Sequence, residues 1–213
     1  MRIKSFTFNA FQENTFVLYD DDGIAVIIDP GCYLASERKL LMDFIEAEGL
    51  RVEHLLNTHC HIDHVLGNHF VTESFGVPLS IHELELEGLN RVPEYAHVYG
   101  FEGYVPSPAP SYFFTDKEQL HIGKLELTVL FTPGHSPGHV VFYLENEGIV
   151  INGDVLFDGS FGRTDLPGGD LATLKRSIHE VMFQLPNNTT VYCGHGPSTT
   201  IGKEKQSNYI LQF

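Results

Sequence analysis

The sequence predicts an α+β fold in which two β-sheets pack back to back, with helices on their outer faces. Strand-like apolar runs fall into two groups along the chain, and helix-like segments lie between and after them. The 213 residues, of which 42% are hydrophobic, are enough for one substantial core. Because sheets and helices bury their apolar faces by packing in layers, we expect one domain covering 1–213.

The first group contains five predicted strands, at 3–8, 15–19, 24–28, 52–57 and 78–81. A helix should separate the third strand from the fourth, with Ser36 as its N-cap and Gly49 just past its end. Short helices are expected at 68–75 and 82–88. The second group contains strands at 125–131, 140–144, 149–151 and 190–193. A last amphipathic helix should start after Asp170 as N-cap and stop before Pro186.

Residues 89–115 differ in character from both groups. They contain four prolines and seven tyrosines and phenylalanines, with no clear helical or strand period. A segment this long without secondary structure is typical of a functional loop. We therefore expect a lid or insert here, while a surface loop that only covers the core remains an alternative.

The charge and the apolar content of the chain argue against nucleic acids and membranes as binding partners. The chain has 28 acidic and 13 basic residues, a formal charge of -15, so it lacks the basic surface that binds a phosphate backbone. No apolar run is long enough to form a signal peptide or cross a bilayer. The three cysteines, an odd number, are expected to be reduced. We expect a cytoplasmic protein without nucleic-acid or membrane partners, and the oligomeric state stays open.

The most informative stretch is 58–64, Thr-His-Cys-His-Ile-Asp-His. Four metal-competent side chains lie within six positions directly after a predicted strand: His59, His61, Asp63 and His64. Imidazole and carboxylate ligands suit zinc, iron or manganese. One tetrahedral ion cannot easily take four ligands from one loop, so the motif indicates two neighbouring ions.

Three later positions supply the remaining ligand types. His135 and His195 each lie in a glycine-flanked turn after a predicted strand, and Asp154 follows the strand at 149–151. Turns at strand ends can converge on one sheet edge, where rigid strands hold ligands in place. His139 begins a strand, and we expect it to be a buried histidine near the site rather than a ligand.

These motifs, together with 161–170 and the turn at 194–200, identify a resemblance that covers nearly the whole chain. The chain resembles metallo-β-lactamase-fold hydrolases, and within them the glyoxalase II (hydroxyacylglutathione hydrolase) branch, in its small bacterial form without the helical C-terminal domain. The resemblance implies a four-layer αββα sandwich. It also implies two divalent metal ions per chain, with zinc expected first and iron or manganese as alternatives.

The resemblance assigns roles to the ligand set. It implies that His59, His61 and His135 hold one ion, that Asp63, His64 and His195 hold the other, and that Asp154 bridges them. Asp29 resembles the family carboxylate that orients a ligand histidine. The common zinc β-lactamases have cysteine where this chain has Asp154, and this counts against antibiotic hydrolysis.

The function implied by the resemblance is hydrolysis of a thioester such as S-lactoylglutathione by a metal-bridging hydroxide. Asp63 and Asp154 would orient that nucleophile or accept its proton. A thiolate leaves without a strong general acid because the conjugate thiol has a pKa near ~8.5. Three cations are candidate substrate contacts: Arg163, Lys203 and Lys205. The favoured alternatives are that Arg163 pairs with Asp165 or caps a loop, and that the two lysines are solvated at the surface.

Other functions remain open at this point. A persulfide dioxygenase with one iron ion has similar motifs, and a lactonase or other ester hydrolase of the same fold would use the same ligands. An RNA phosphodiesterase is disfavoured by the acidic charge, and a non-catalytic metal-binding role is disfavoured by the intact Asp154.

Overall fold

The computed structural model describes the whole chain, residues 1–213. The chain divides into two compact units. The first comprises 1–114 and 121–125, and the second comprises 115–120 and 126–213. None of the helices combines the length and the apolar character needed to span a bilayer. The expectation of one domain over 1–213 stays a prediction.

The first sheet has six strands in sequence order. They are β1 (Arg2–Phe8), β2 (Glu13–Tyr19), β3 (Ile24–Ile28), β4 (Arg51–Leu56), β5 (Leu79–His82) and β6 (Tyr112–Phe114). Strands β1 to β3 pair antiparallel, whereas β3, β4, β5 and β6 pair parallel. Because β3 and β4 run in the same direction, Asp29 and the 57–64 segment emerge at the same sheet edge.

The helices of the first unit largely follow the predicted pattern. They are α1 (Ala35–Ala47), α2 (Ile62–Val65), α3 (Asn68–Phe75) and α4 (Leu86–Tyr95), with 3-10 turns at Glu83–Glu85 and Ala96–Tyr99. The predicted N-cap of α1, Ser36, is wrong: Leu34 occupies that position. The Glu37 carboxylate accepts hydrogen bonds from the backbone N–H groups of Tyr33 and Leu34, each at 2.8 Å. A carboxylate in the first turn thus replaces the expected serine cap.

The structure differs from the irregular segment expected at 89–115. Helix α4 continues to Tyr95 with Pro93 inside it, and β6 closes the segment. Leu89 and Val92 form the buried face of α4. The proline concealed this helix in the sequence, because an interior proline usually ends one. Within 89–115, only residues 100–111 and Thr115 have neither helix nor strand, and movement of this segment as a lid stays a prediction.

The second sheet has the order β14-β13-β10-β9-β8-β7. Its strands are β7 (Gln119–Ile122), β8 (Leu125–Phe131), β9 (Val140–Leu144), β10 (Ile149–Gly153), β13 (Thr190–Cys193) and β14 (Thr199–Thr200), and β11 (Leu156–Phe157) pairs with β12 (Ser160–Phe161) in a separate hairpin. Strands β10 and β13 are parallel. Asp154 and His195, which follow them, therefore emerge on the same side of the sheet.

The second unit has two α-helices, α5 (Leu171–Glu180) and α6 (Ile201–Ser207), and 3-10 turns at Met182–Gln184 and Tyr209–Gln212. The predicted N-cap of α5 is confirmed, because the Asp170 carboxylate accepts a hydrogen bond from the Thr173 backbone N–H at 2.7 Å. The helix ends at Glu180 rather than just before Pro186. The 3-10 turn that follows carries Met182 and Phe183 into the core.

Each unit has its own apolar core. In the first, Val17, Ile27 and Leu55 from the sheet pack with Leu41 and Ile45 of α1. Full burial of such a side chain contributes about 1.5–3 kcal/mol. In the second, Val150 and Val191 pack with Leu174 and Ile178 of α5. These cores make the sheets rigid supports for the turns at their edges.

Candidate metal centre

The loop after β4 gathers its predicted ligands into one cluster, which we call the first-unit cluster: His59, His61, Asp63 and His64. The ring centroids of His59 and His61 are 4.7 Å apart, and those of His59 and His64 are 4.2 Å apart. The Nε2 atom of His64 lies 3.7 Å from Asp63 Oδ2. His59 and His64 are fully buried. Helix α2 is responsible for part of this, since it starts at Ile62 and turns Asp63 and His64 back toward His59.

The Asp29 carboxylate contacts both the start of the ligand loop and one of its histidines. It accepts hydrogen bonds from the backbone N–H of Thr58 at 2.7 Å and from the Thr58 hydroxyl at 2.6 Å. The same carboxylate lies 3.1 Å from Nδ1 of His64. Asp29 itself has a left-handed backbone with φ 50°, an uncommon conformation for a residue other than glycine. The contact with His64 is the one that its predicted orienting role requires.

Thr58 links Asp29 to a second histidine, and sequence reasoning assigned it no role. Its hydroxyl lies 3.0 Å from Nδ1 of His59. The single hydroxyl hydrogen is donated to Asp29, so the oxygen can only accept a hydrogen bond from His59 Nδ1–H. This fixes the tautomer of His59 and leaves its Nε2 atom as the metal-binding nitrogen.

Two buried carboxyl groups near the loop were also missed. Glu85, from the 3-10 turn before α4, accepts a hydrogen bond from the Cys60 backbone N–H at 2.8 Å. This bond holds the chain between His59 and His61. Glu13, on β2, is fully buried, and this burial raises its pKa well above the usual range, although His64 opposes the shift.

The second-unit cluster consists of His135, Asp154 and His195. The Asp154 Oδ2 atom lies 3.6 Å from His135 Nε2 and 3.4 Å from His195 Nε2. Asp154 and His135 are buried, whereas His195 is partly exposed. One carboxylate oxygen thus faces both histidines, which come from separate turns.

A backbone carbonyl orients His135. The Nδ1 atom of His135 lies 2.8 Å from the Arg163 carbonyl oxygen, which can only accept a hydrogen bond. Nδ1 therefore carries the proton, and Nε2 faces Asp154. The neighbouring Gly162 permits this approach, because a Cβ atom there would lie 1.9 Å from the Asp154 carbonyl oxygen and 2.9 Å from His135 Nδ1. The backbone of the 161–170 segment thus holds the ligand.

His139 supports Asp154, as expected of a buried histidine near the site. Its Nε2 atom accepts a hydrogen bond from the Asp154 backbone N–H at 3.1 Å. Its Nδ1 atom lies 3.4 Å from the Thr132 hydroxyl. His139 is fully buried, and it holds the bridging candidate Asp154 through the main chain.

The three candidate substrate cations all have partners in their own unit. Arg163 donates two hydrogen bonds to Asp165, at 2.6 and 2.7 Å, and this pairing lowers the pKa of Asp165 to about 2. Lys203 pairs with Asp158, and Lys205 donates to Asn187 Oδ1 at 2.9 Å. A contact between any of them and a substrate stays a prediction.

The donor set fits a borderline or hard divalent cation. The Nδ1 atoms of His59, His64 and His135 are each engaged by a hydrogen-bond partner, so their Nε2 atoms are the nitrogens left for coordination. Such outer partners of ligand histidines are a regular feature of metal sites. Imidazole nitrogens and carboxylate oxygens without thiolates accept zinc, iron or manganese.

These elements define a class of protein. The chain belongs to the metallo-beta-lactamase superfamily, whose family model matches residues 8–195. It is therefore a metallo-hydrolase of this superfamily, and the predicted α+β metallo-β-lactamase fold is confirmed.

Individual relatives match over almost the full chain. Hydroxyacylglutathione hydrolase GloC of Haemophilus influenzae is 36% identical over 212 residues, which cover 99% of this chain and 98% of that protein. The crystal structure of BLEG-1 B3 metallo-beta-lactamase is 37% identical with a TM-score of 0.90, covering 100% of both chains. The crystal structure of TTHA1623 in a di-iron-bound form is 35% identical with a TM-score of 0.87, covering 97% of this chain and 98% of that one.

Proposed function

We propose that this protein is a binuclear metal-dependent thioester hydrolase of the hydroxyacylglutathione hydrolase type. In this proposal His59, His61 and His135 hold one ion, and Asp63, His64 and His195 hold the other. Asp154 bridges the two ions. The observation that carries the proposal is the position of Asp154 Oδ2, which lies within 3.6 Å of His135 Nε2 and at 3.4 Å from His195 Nε2. His135 is a proposed ligand of the first ion, and His195 is a proposed ligand of the second.

The ions would supply the reactive water and the electrophilic pull on the substrate carbonyl, since a metal-bound water has a pKa near ~7 instead of 15.7. The chain's own residues position the reaction. Asp63 and Asp154 are the carboxylates able to orient the attacking water and accept its proton. Asp154 is buried, and the hydrogen bond from its backbone N–H to His139 fixes the main chain that carries the carboxylate.

A thioester suits a site with this composition. Hydrolysis breaks the bond between the acyl carbon and sulfur, and it releases a carboxylic acid and a thiol. The thiolate departs readily because its conjugate acid has a pKa near ~8.5. An amide would require a proton donor for the leaving amine, and no side chain is assigned to that task. The similarity to GloC supports a glutathione thioester as the first substrate to test.

The test is a steady-state assay of S-lactoylglutathione with metal-loaded protein. Wild type should turn over the substrate, and His135→Ala should reduce kcat/KM by more than about 100-fold, because loss of a direct ligand should exceed the 10- to 100-fold effect typical of its outer partners. His121→Ala, an exposed histidine on β7, is the matched control and should retain full activity. Turnover no higher in wild type than in His135→Ala would contradict the proposal.

Two further substrates separate the alternatives. A β-lactam is included because BLEG-1 is named a metallo-beta-lactamase, and glutathione persulfide with an oxygen electrode tests the one-iron dioxygenase. Hydrolysis of a β-lactam or oxygen uptake at a kcat/KM above that for the thioester would assign the site to that other reaction. We expect both to be weaker substrates than the thioester.

A further inference from the structure

The tip of the β1–β2 hairpin reaches the first-unit cluster through one side chain, Asn9. This residue has a left-handed backbone with φ 51°. Its backbone N–H donates to the Glu37 carboxylate at 2.7 Å, which ties the hairpin to the start of α1. Asparagine tolerates this conformation better than most residues, so the turn alone would account for its presence. Its side chain, however, does more than the turn requires.

The Asn9 amide makes three hydrogen bonds that use both of its hydrogens. Oδ1 accepts from the Phe11 backbone N–H at 2.9 Å, which fixes the direction of the amide. Nδ2 then donates to the Gly31 carbonyl at 3.0 Å and to the Asp63 carbonyl at 3.1 Å. An amide has two N–H donors, and a carboxylate has none. A carboxylate of the same size could therefore not hold these two carbonyl oxygens together.

The two carbonyls belong to the segments that present Asp63 and His64. Gly31 ends the turn that carries Asp29, the residue in contact with His64 Nδ1. Asp63 is itself a proposed ligand. The same two segments are joined again where the Gly67 backbone N–H donates to the Pro30 carbonyl at 2.7 Å. Hydrogen bonds therefore connect the 29–31 turn to the segment that contains helix α2 at two points. Asn9 makes one of these connections, and the Gly67–Pro30 bond makes the other.

Gly31 shows how closely these groups approach each other. A Cβ atom at this position would lie 2.6 Å from Asn9 Nδ2, 2.7 Å from the Asp63 carbonyl oxygen and 2.0 Å from Glu13 Oε2. The Thr15 hydroxyl, which bonds to Glu13, also accepts the Gly31 backbone N–H at 2.9 Å. The groups around Gly31 are tightly packed. A change in the Asn9 amide should therefore shift the Asp63 backbone.

We infer that Asn9 is a positioning residue for one of the two proposed ion sites, the one formed by Asp63, His64 and His195. It fixes the distance between the Asp63 backbone and the turn that orients His64. The hydrogen bonds of Asn9 do not include His59 or His61, so the other ion should depend on it far less. The inference rests on the proposed function, because it requires two distinct sites.

The test isolates each site with a ligand variant and measures zinc affinity by chelator competition. His61→Ala leaves only the site that includes Asp63, and His195→Ala leaves only the site that includes His59. Asn9→Gly is added to each, because glycine keeps the left-handed turn and removes the amide. Asn9→Asp is the second variant; its added negative charge would by itself attract zinc, so weaker binding would reflect the lost donors. Gln12→Gly, at the other left-handed position of the same tip (φ 57°), is the matched control.

In the His61→Ala background, both Asn9 variants should weaken zinc binding by about 10- to 100-fold, as loss of an outer partner does. In the His195→Ala background, the affinity should stay within about twofold, because Asn9 makes no hydrogen bond to His59, His61 or His135. Equal weakening in both backgrounds, or none in either, would overturn the inference. Wild type that binds only one zinc ion would overturn the binuclear proposal and the inference together, a result visible before any Asn9 variant is made.

Discussion

The two ligand clusters are built in different ways. In the first-unit cluster, four ligands come from six consecutive positions, and side-chain carboxylates hold them: Asp29 contacts His64, and Glu85 holds the Cys60 backbone. In the second-unit cluster, three ligands come from three separate turns, and main-chain contacts hold two of them: the Arg163 carbonyl meets His135, and the Asp154 N–H donates to His139. In this protein, the dense motif is supported by carboxylates from outside it, whereas the dispersed ligands depend on strand ends and close backbone contact.

The largest effect is expected at Asp154, the second-unit residue that the proposal places on both ions. Asp154→Ala should lower thioesterase kcat/KM by more than about 100-fold, beyond the effect typical of an outer partner. Metal content and activity should fall together. If the variant keeps both ions and its activity, Asp154 contacts His135 and His195 but does not bridge the two ions.

The next effect tests the carboxylate-held cluster. Asp29→Asn keeps the size of the side chain but places an amide against the donors of Thr58 and His64. Metal affinity should fall by about 10- to 100-fold, measured by equilibrium dialysis against zinc. Asp165→Asn, an exposed carboxylate paired with Arg163, is the matched control and should leave affinity unchanged. An unchanged affinity in Asp29→Asn would show that His64 needs no orienting carboxylate.

A glycine substitution tests the backbone-held cluster. In Gly162→Ala the new Cβ would overlap the Asp154 carbonyl and crowd His135 Nδ1, so unfolding free energy should fall by about 1–3 kcal/mol, the usual cost of overpacking. Zinc affinity should fall with it. Gly88→Ala, inside α4 with open space around it, should instead stabilise the protein by up to about 1 kcal/mol. Urea titration of both variants measures the difference, and equal stability would contradict the close approach.

The smallest effect concerns the thiols, which neither cluster uses as ligands. Burial raises the pKa of Cys32 and of Cys193 to about 12, and that of Cys60 well above its usual range. The folded state thus keeps these protons while the unfolded chain loses them near pH ~8.5. Their contribution to stability is complete below that pH and declines above it. Iodoacetamide at pH 9 should label the three thiols in urea and not in the native protein; native labelling would contradict their burial.

The sequence was informative where side chains form a pattern and silent where the main chain acts. The motif at 58–64 and the turns at His135, Asp154 and His195 could be recognised because histidines and aspartates clustered at strand ends are typical of metal sites. Asn9 could not, since asparagine at a hairpin tip is ordinary turn chemistry. The Arg163 carbonyl has no residue signature at all. Gly162 was the available signal, because a glycine between strand and loop often marks close backbone approach.

The fold shows the same limit. Most strands were predicted within two residues, because runs of apolar residues mark them, and Asp170 was recognised as a helix cap. Helix α4 was missed because Pro93 interrupts its pattern. The N-cap of α1 was misplaced because Glu37, a residue inside the helix, supplies the cap. The first error arises because the helix tolerates an interior proline, and the second because a local side chain within the first turn supplies the cap.

In the proposed function, the two clusters act as one two-ion centre. X-ray absorption spectroscopy of the metal-loaded wild type tests it most directly, with Asp154→Ala as reference. We expect two ions per chain and a metal–metal distance of about 3.5–4 Å, as in other two-metal sites. A single ion per chain, or two ions with no metal–metal signal in wild type, would contradict it.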